Sequence, residues 1–350
     1  MTTRRGWCPS LFEPMETGDG LLVRVKPQGA RLDGAALRAL ADAATRFGNG
    51  AVELTRRGNL QIRGLTPSGV PAFAAATVAA GLADPDPVAE RRRIVVPPPL
   101  AGDDPTVPVD SLILADAIER TVPPGLPPKF CIAIDGGGVL AGAPAADIVI
   151  DARACTADTL PSVQRRMDDA VGKARGAVQS VRAPGSAIGF HPYAGGSHGA
   201  FGLGVPFGQT DAAGLRRLAE LADRFGGAVR VSPWRAVLLG RVAEGEVPAL
   251  RAAAAAGWVV DPADPRLGIT ACVGSPGCGR ASVSARLDAA RLAARGAGGP
   301  LHLSGCAKGC AYSGGPVLVG EAGRYSRAAS WRAGTPLPPQ GLSLDAAVPA

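Results

Sequence analysis

Aromatic residues make up only 4% of this 350-residue sequence, and only four of its 37 basic residues are lysine. No basic run is interleaved with aromatics, the pattern that follows a nucleic acid strand, so nucleic acid binding is not expected. Long apolar runs are also missing. The stretch from Ala252 to Val260 is mostly alanine and far shorter than the roughly 20 residues of a membrane span. The N-terminus has no apolar signal segment, so we expect a cytoplasmic protein without a membrane span.

Hydrophobic residues form 46% of the chain and charged residues 19%, with 48 glycines and 32 prolines. This composition is typical of a loop-rich globular protein, and the length predicts two or more packed units. The net charge of +7 predicts an anionic partner. The excess of arginine over lysine has two open explanations, a GC-rich coding bias and the paired hydrogen bonds that guanidinium forms with carboxylates.

One pattern occurs twice, from about residue 20 to 82 and from about 200 to 258. Apolar residues in each copy are spaced as on the buried face of a helix. They are Leu37, Leu40, Ala44 and Phe47 in the first copy, and Leu215, Leu218, Ala222 and Phe225 in the second. Gly48 and Gly226 follow these helices, where we expect left-handed caps. Each copy is predicted to be a βαββα unit. The strand-like runs are 21–25, 52–55 and 60–62 in the first copy, and 201–205, 229–232 and 237–239 in the second. The second helix begins at Val70 in the first copy and at Val247 in the second.

Four cysteines follow the second copy with the spacing C-x5-C, a gap of 27 residues, and C-x3-C. They are Cys272, Cys278, Cys306 and Cys310. Soft thiolates are the ligands of iron–sulfur clusters, and the flanking glycines free backbone N–H groups to face cluster sulfurs. We therefore predict one [4Fe–4S] cluster here. Structural zinc and a disulfide pair remain alternatives, although a five-residue gap suits zinc poorly and a cytoplasmic chain rarely keeps disulfides.

The other cysteines, Cys8, Cys131 and Cys155, lack partner spacing and are interpreted as small core residues. The sequence has only three histidines, His191, His198 and His302. His191 and His198 are candidate ligands for a second metal or satisfied loop histidines, and His302 is expected to pack beside the cluster.

The cysteine pattern after two duplicated halves resembles the sulfite and nitrite reductase family, in which the last cysteine also bridges to siroheme. Residues 55–61 resemble that family's T-T-R-x-x-x-Q strand, with Arg57 as the arginine that faces the tetrapyrrole. Residues 126–130 resemble its L-P-x-K-F motif, with Lys129 as an active-site lysine, and Arg92 matches another anion-binding arginine. Cys131 stands where the family has a second lysine, so a site for sulfite or nitrite lacks one cation here.

The resemblance implies an α+β fold with duplicated ferredoxin-like βαββα halves and α/β segments that bind the cluster. We divide the chain into a first half (1–90), a shortened middle segment (91–180) with strands at 130–134 and 147–150, and a second half (181–260). A [4Fe–4S]-binding segment (261–330) and a tail (331–350), frayed beyond Gly334, follow.

Within that family, residues 5–9, 14–24 and 232–235 resemble the branch of precorrin-3B synthases, monooxygenases of aerobic cobalamin biosynthesis. This implies hydroxylation of precorrin-3A at C20 with γ-lactone formation, using O2. It also implies a mononuclear non-haem iron beside the cluster and electrons from NADH through a separate reductase or ferredoxin, since no dinucleotide-binding motif is present. Arg57 and Lys129 are the predicted catalytic residues. The predicted substrate-binding residues are Arg57, Asn59, Gln61, Arg63, Arg92, Lys129 and Arg235.

Two other functions remain open from the sequence. A siroheme-dependent sulfite or nitrite reductase would purify with the visible bands of an iron isobacteriochlorin. An iron–sulfur electron carrier would lack precorrin turnover.

Overall fold

A computed structural model describes residues 9–127, 129–178 and 187–348. The chain forms two compact units. The first runs to Met15 and resumes from Leu22 to Trp258, and the second contains Glu16–Leu21 and the chain from Val259 onward. Among the helices of the described residues, none is long and apolar enough to cross a membrane.

The strands, in chain order, are β1 (Met15–Thr17), β2 (Gly20–Val25), β3 (Arg31–Leu32), β4 (Ala51–Leu54), β5 (Leu60–Leu65), β6 (Val95–Val96), β7 (Ile132–Asp135), β8 (Ile148–Asp151), β9 (Gly189–Pro192), β10 (His198–Gly204), β11 (Gln209–Asp211), β12 (Val229–Val231), β13 (Ala236–Ala243), β14 (Ile269–Ala271), β15 (Leu301–Ser304), β16 (Val317–Glu321) and β17 (Arg324–Ala328). The helices are α1 (Gly34–Phe47), α2 (Gly69–Ala79), α3 (Pro87–Arg92), α4 (Asp110–Arg120), α5 (Thr159–Ala170), α6 (Ala212–Phe225), α7 (Val247–Ala254), α8 (Pro265–Gly268), α9 (Ala285–Ala294) and α10 (Leu344–Ala347).

The duplicated helices α1 and α6 form where the apolar spacing predicts them. An aspartate caps each helix: the Asp33 carboxylate accepts a hydrogen bond from the Ala36 N–H (2.8 Å), and the Asp211 carboxylate accepts one from the Gly214 N–H (2.7 Å). The predicted apolar positions are buried except for Phe47, which is half-buried. The two helices pack against each other. The predicted duplication is confirmed.

The glycines that follow these helices do not form the predicted left-handed caps. Gly48 has φ −128° and Gly226 has φ −172°, both outside the left-handed region. Left-handed backbone occurs slightly later, at Gly50 (φ 78°) and Gly227 (φ 76°). Each of these later glycines donates to a carbonyl in the last turn of its helix. The left-handed residue therefore lies one or two positions further along the chain than predicted.

The two halves exchange short strands. One sheet has the order β1-β2-β5-β4-β11 and the other β3-β12-β13-β10-β9. Strand β11 of the second half pairs with β4 of the first, with Gln209 opposite Glu53. Strand β3 of the first half pairs with β12 of the second, with Leu32 opposite Val229. Each half thus completes the sheet of the other.

The middle segment contains a parallel sheet of β6, β7 and β8, and helices α4 and α5 pack against each other. Its core is apolar and includes Ile118, Ile132 and Met167. A buried ion pair joins this segment to the second half: Arg230 of β12 is 1% exposed, and its Nη2 lies 2.7 Å from Oδ2 of Asp103.

The second unit is built on the sheet β14-β15-β16-β17. Its first three strands are parallel, with Ala271 opposite Leu303, and β17 returns antiparallel to β16. Helix α9 lies between β14 and β15 in the chain and packs on both. The carboxyl ends of β14 and β15 therefore meet at one edge of the sheet.

The described part of the C-terminal tail is not frayed as predicted. Leu342 exchanges two backbone hydrogen bonds with Tyr325 of β17 (2.9 and 3.0 Å). Ser343 caps α10 through the Ala346 N–H (3.2 Å), and α10 packs on β17. A proline-rich sequence can still supply this bridge at a sheet edge, because the paired residue, Leu342, is not proline and keeps its N–H.

The three cysteines outside the motif have different surroundings. Cys131 is buried directly before β7, as predicted for a core residue. Cys155 is exposed after β8, so the same prediction is wrong for it. Cys8 lies outside the described residues.

Candidate functional site

The four motif cysteines lie in two loops at one edge of the second unit's sheet. Cys272 directly follows β14, and Cys306 lies two residues beyond β15. Because these strands are parallel neighbours, their carboxyl ends bring both loops together. The loops are also hydrogen-bonded to each other, since the Ser282 N–H donates to the Gly305 carbonyl (3.1 Å). Cys278 and Cys310 follow in the same two loops.

The thiols of these loops influence one another electrostatically. Burial raises the pKa of the Cys272 thiol, and the neighbouring Cys306 and Cys278 raise it further. The N–H of Gly305 opposes this rise by donating to Sγ of Cys272 at 3.0 Å. Partial desolvation likewise raises the pKa of Cys310, which also interacts with Cys306 and Cys278. Cys272 and Cys310 thus each interact with Cys278 and Cys306, and N–H groups are directed at the Cys272 sulfur as in iron–sulfur sites.

Two glycines permit close packing around this group. A Cβ on Gly305 would lie 2.7 Å from the Ala281 Cβ and 3.3 Å from Sγ of Cys272. A Cβ on Gly18, in the turn between β1 and β2, would lie 2.2 Å from the nitrogen of Gly279, next to Cys278. The turn at Gly18 thus packs directly against the loop that contains Cys278.

Aromatic rings pack beside the second cysteine loop. His302 is buried in β15, and its Nδ1 lies 2.8 Å from Oγ1 of Thr270. Its ring packs edge-on against Tyr312, with centroids 5.6 Å apart. Tyr312 in turn packs against Trp331 at 5.3 Å. Trp331 covers the loop so closely that a Cβ on Gly309 would lie 2.5 Å from its ring.

A pocket of about 590 Å³ lies in the first unit, a volume typical of small-molecule sites. Apolar residues from segments 94–96 and 122–127, together with Phe130, form much of its wall. Its charged lining residues are Arg24, Lys26, Arg57, Arg91, Arg92, Arg93 and Lys129, with Glu13 as the acidic member. Of the predicted binding residues, Arg57, Asn59, Arg92 and Lys129 line this pocket. Basic groups around apolar walls suit a large, flat polycarboxylate.

Arg57 connects the first half to the middle segment. Its backbone N–H and that of Asn59 both donate to Oγ1 of Thr55 (3.2 Å each), which shapes the turn between β4 and β5. The Arg57 guanidinium donates through Nη2 to the backbone carbonyl of Lys129. Lys129 has a left-handed backbone (φ 67°), a strained conformation that often occurs at functional sites. The two predicted catalytic residues are therefore in direct contact.

Three predicted binding residues do not line the pocket. Gln61 contacts it indirectly, because its Oε1 accepts from Nη2 of Arg24 (3.1 Å) and its Nε2 donates to Glu53 (2.9 Å). Arg63 is 4% exposed, with Nη1 3.6 Å from Oε1 of Glu53. Arg63 therefore does not line the described pocket, and its charge is balanced by Glu53 inside the sheet.

Arg235 occupies the turn between β12 and β13, as Arg57 does between β4 and β5. Its backbone is left-handed (φ 56°), and its side chain packs near Gly208, where an added Cβ would lie 3.4 Å from the Arg235 Cδ. Duplication puts Arg235 and Arg57 in equivalent turns of different sheets, so Arg235 does not join Arg57 in the described pocket.

Sequence reasoning missed four basic pocket residues, namely Arg24, Lys26, Arg91 and Arg93. Each lies beside a feature that the sequence shows, but only the tertiary fold brings the four to one cavity. Arg24 and Lys26 interrupt or follow the apolar run of β2, and Arg91 and Arg93 flank Arg92. Arg91 pairs with Glu13 (2.8 Å), and Nη1 of Arg93 donates to the Lys26 carbonyl (2.7 Å).

Two glutamates adjoin this basic lining. Glu90 is fully buried, and its Oε2 lies 3.3 Å from Nε of Arg93. Burial raises the pKa of Glu90, with Arg93 opposing the rise. Burial also raises the pKa of Glu119 to about 7, against the effect of the Val95 N–H, Lys26 and Arg93.

Cys131 packs with the buried residues Val96, Ala133 and Ala146. Its burial raises the pKa of its thiol. The position of the reductases' second lysine is thus part of the apolar core here.

The histidines predicted as candidate iron ligands lie on adjacent strands, His191 in β9 and His198 in β10. Burial lowers the pKa of His191. His198 is exposed, with Nδ1 3.3 Å from Oγ of Ser197. Across the described residues, no three His, Cys, Asp or Glu side chains converge to hold a single metal ion. The mononuclear iron remains a prediction without a ligand set.

Comparison with known proteins supports the duplicated fold and gives the family. The family model for the nitrite/sulfite reductase ferredoxin-like half domain matches twice, at residues 13–80 and 191–257. The solved structure of the Mycobacterium tuberculosis NirA protein matches with a TM-score of 0.61 at 18% identity, over 88% of this chain and 73% of that one, which establishes a shared fold. A precorrin-3B synthase from Sinorhizobium sp is 37% identical over 366 aligned positions, covering 88% of this chain and 78% of the relative. On this similarity, the chain belongs to the precorrin-3B synthase family.

Proposed function

We propose that this enzyme catalyses the O2-dependent hydroxylation of precorrin-3A at C20, with γ-lactone formation from the ring A acetate, to give precorrin-3B. The observation that carries this proposal is the 37% identity, over 88% of the chain, to a precorrin-3B synthase. The basic pocket of the first unit supports it, because precorrin-3A is a macrocycle bearing many carboxylates.

The pocket residues bind and orient the substrate. Arg57, Arg92 and Lys129 bind its carboxylates, and guanidinium groups do so through paired hydrogen bonds. Phe130 and the apolar segments pack against the ring and exclude water from it. The bond from Arg57 to the Lys129 carbonyl holds two of these cations in one arrangement. Orientation of this kind presents one carbon of the ring for reaction.

The four cysteines are proposed to hold a [4Fe–4S] cluster. Their chemistry fits this group, since four free thiols share two loops and Gly305 donates an N–H to one sulfur. When bound, the cluster supplies electrons one at a time. NADH is the indirect source, through a separate reductase or ferredoxin. The mononuclear iron remains proposed from the family resemblance alone, and no step is assigned to it.

Turnover tests the proposal directly. The purified, cluster-loaded enzyme is mixed with precorrin-3A and a reductant without oxygen, and then exposed to O2. We expect precorrin-3B to form only after O2 is admitted. Product formation under strict anaerobiosis, or sulfite reduction by protein carrying the bands of an iron isobacteriochlorin, would contradict the proposal.

The cluster ligands are tested by Cys310→Ser, with Cys155→Ser as the matched control because Cys155 is also an exposed thiol. Loss of the broad visible absorption in the Cys310 variant alone is expected. An unchanged spectrum in that variant would contradict the ligand assignment.

A further inference from the structure

Glu90 is a fully buried carboxylate in α3, and the three arginines that follow it all line the basic pocket. Its Oε2 lies 3.3 Å from Nε of Arg93 and accepts a hydrogen bond from the Asp84 N–H (3.1 Å). A buried ion pair loses so much solvation that its presence is weak evidence for a stabilising role. Its direct effect is geometric, because it holds one nitrogen of the Arg93 guanidinium in a fixed place.

Arg93 is held at a second nitrogen by the segment after β2. Its Nη1 donates to the backbone carbonyl of Lys26 (2.7 Å). A planar guanidinium that is held at both Nε and Nη1 has a fixed orientation. Among the described residues, none accepts a hydrogen bond from its third nitrogen, Nη2. Since Arg93 lines the pocket and its side chain is 15% exposed, Nη2 is available to a ligand there.

Arg91, two residues earlier, lines the same pocket but is held differently. It pairs with Glu13, and the two side chains are 62% and 45% exposed. Exposed pairs are screened by water and fix their side chains weakly. Arg93 is therefore the preorganised cation of the two, and a preorganised group loses less conformational entropy when a ligand binds.

We infer that Arg93 binds a carboxylate of the polycarboxylate ring through Nη2, and that Glu90 is a positioning residue that holds Arg93 in the required orientation. This inference rests on the proposed function of the pocket. Glu90 is not among the lining residues and acts through Arg93. Binding changes no covalent bond.

The test is fluorescence titration of uroporphyrin, a stable tetrapyrrole polycarboxylate, with the full cluster-loaded protein. Arg93→Ala is expected to weaken binding about tenfold to a hundredfold, because a charge-assisted hydrogen bond is lost. Arg93→Lys keeps the charge but cannot bond to Glu90 and to the Lys26 carbonyl together, so it is expected to lose about as much. Wild-type affinity in either variant would overturn the inference.

A double-mutant cycle tests the role of Glu90. Glu90→Leu is expected to weaken binding in the wild-type background and to change it by less than about twofold in the Arg93→Ala background. Glu90→Gln keeps an oxygen acceptor for Nε and is expected to restore most of the affinity that Glu90→Leu loses. Equal losses in the two backgrounds, or no rescue by glutamine, would overturn the positioning role. Should Glu90→Leu fail to fold, Arg93→Lys carries the same test.

Asp103→Asn is the matched control, because it breaks another buried ion pair of the first unit, with Arg230, outside the pocket. It is expected to bind uroporphyrin with wild-type affinity. A loss as large as that in Glu90→Leu would show that breaking any buried ion pair of the unit weakens binding, and would overturn the inference. If uroporphyrin does not bind wild type, the pocket assignment falls as well, whereas wild-type binding by the Arg93 variants leaves that assignment standing.

Discussion

Arg57 illustrates how one side chain can serve both binding and local structure. Its guanidinium reaches the carbonyl of the strained Lys129 and also lines the pocket. A charge-assisted hydrogen bond contributes about 1.5–3 kcal/mol, so its loss weakens binding about tenfold to a hundredfold.

Arg57→Ala is therefore expected to weaken uroporphyrin binding by that factor, as measured by fluorescence titration. The control is Arg46→Ala, because Arg46 is exposed on α1 and lies over the ring of Phe47 (5.2 Å) instead of in the pocket. Equal affinities for the Arg57 and Arg46 variants would refute the binding role.

Gly305 is predicted to be irreplaceable at the cysteine site. In Gly305→Ala the new methyl group would meet Ala281 at 2.7 Å, so the loop must shift relative to Cys272. We expect a marked loss of bound iron and sulfide after reconstitution. Gly298→Ala in the same unit is the control, since its nearest neighbour would be at an ordinary 3.7 Å. Normal iron content in Gly305→Ala would show that the loop tolerates the shift.

For single residues, the sequence predicted candidate site residues where residue type alone determines the chemistry. Cysteine spacing indicated the group of four, and family motifs indicated Arg57, Arg92 and Lys129. Arg63 could not be placed, because its burial depends on Glu53 of the neighbouring strand and hence on strand register. Lys26 and Arg93 were missed because only the tertiary fold brings them to one cavity.

At the scale of elements, the ion pair between Asp103 and Arg230 fixes the middle segment to β12. Both side chains are almost fully buried, at 5% and 2% exposure. Removing one partner leaves a buried charge unpaired, which costs about 3–5 kcal/mol. By contrast, the exposed pair of Asp223 and Arg38 contributes about 1 kcal/mol or less.

Asp103→Asn is therefore expected to lower the free energy of unfolding by about 3–5 kcal/mol, and Asp223→Asn by about 1 kcal/mol at most, in urea denaturation. Similar midpoints for the two variants would contradict a stabilising role for the buried pair.

Helices α1 and α6 could be predicted because each has a long apolar period. The exchanged strands β3 and β11 could not, since runs of two and three residues carry no alternation to detect. The left-handed caps were misplaced for a related reason, because several glycines follow each helix and composition does not choose among them.

At the scale of the whole molecule, one chain combines a duplicated unit that carries a basic pocket with a second unit that carries a cysteine group. The proposed division of labour follows from residue chemistry: arginines suit the binding of carboxylates, and thiolates suit the binding of a redox cluster. The tetrapyrrole that serves the reductases as cofactor is, in this account, the substrate.

The source of the new oxygen atom tests this account most directly. The cluster-loaded enzyme is incubated with precorrin-3A, a reductant and ¹⁸O2 in ordinary water, and the product is analysed by mass spectrometry. The account predicts one heavy oxygen atom in precorrin-3B. Product without heavy oxygen would contradict it.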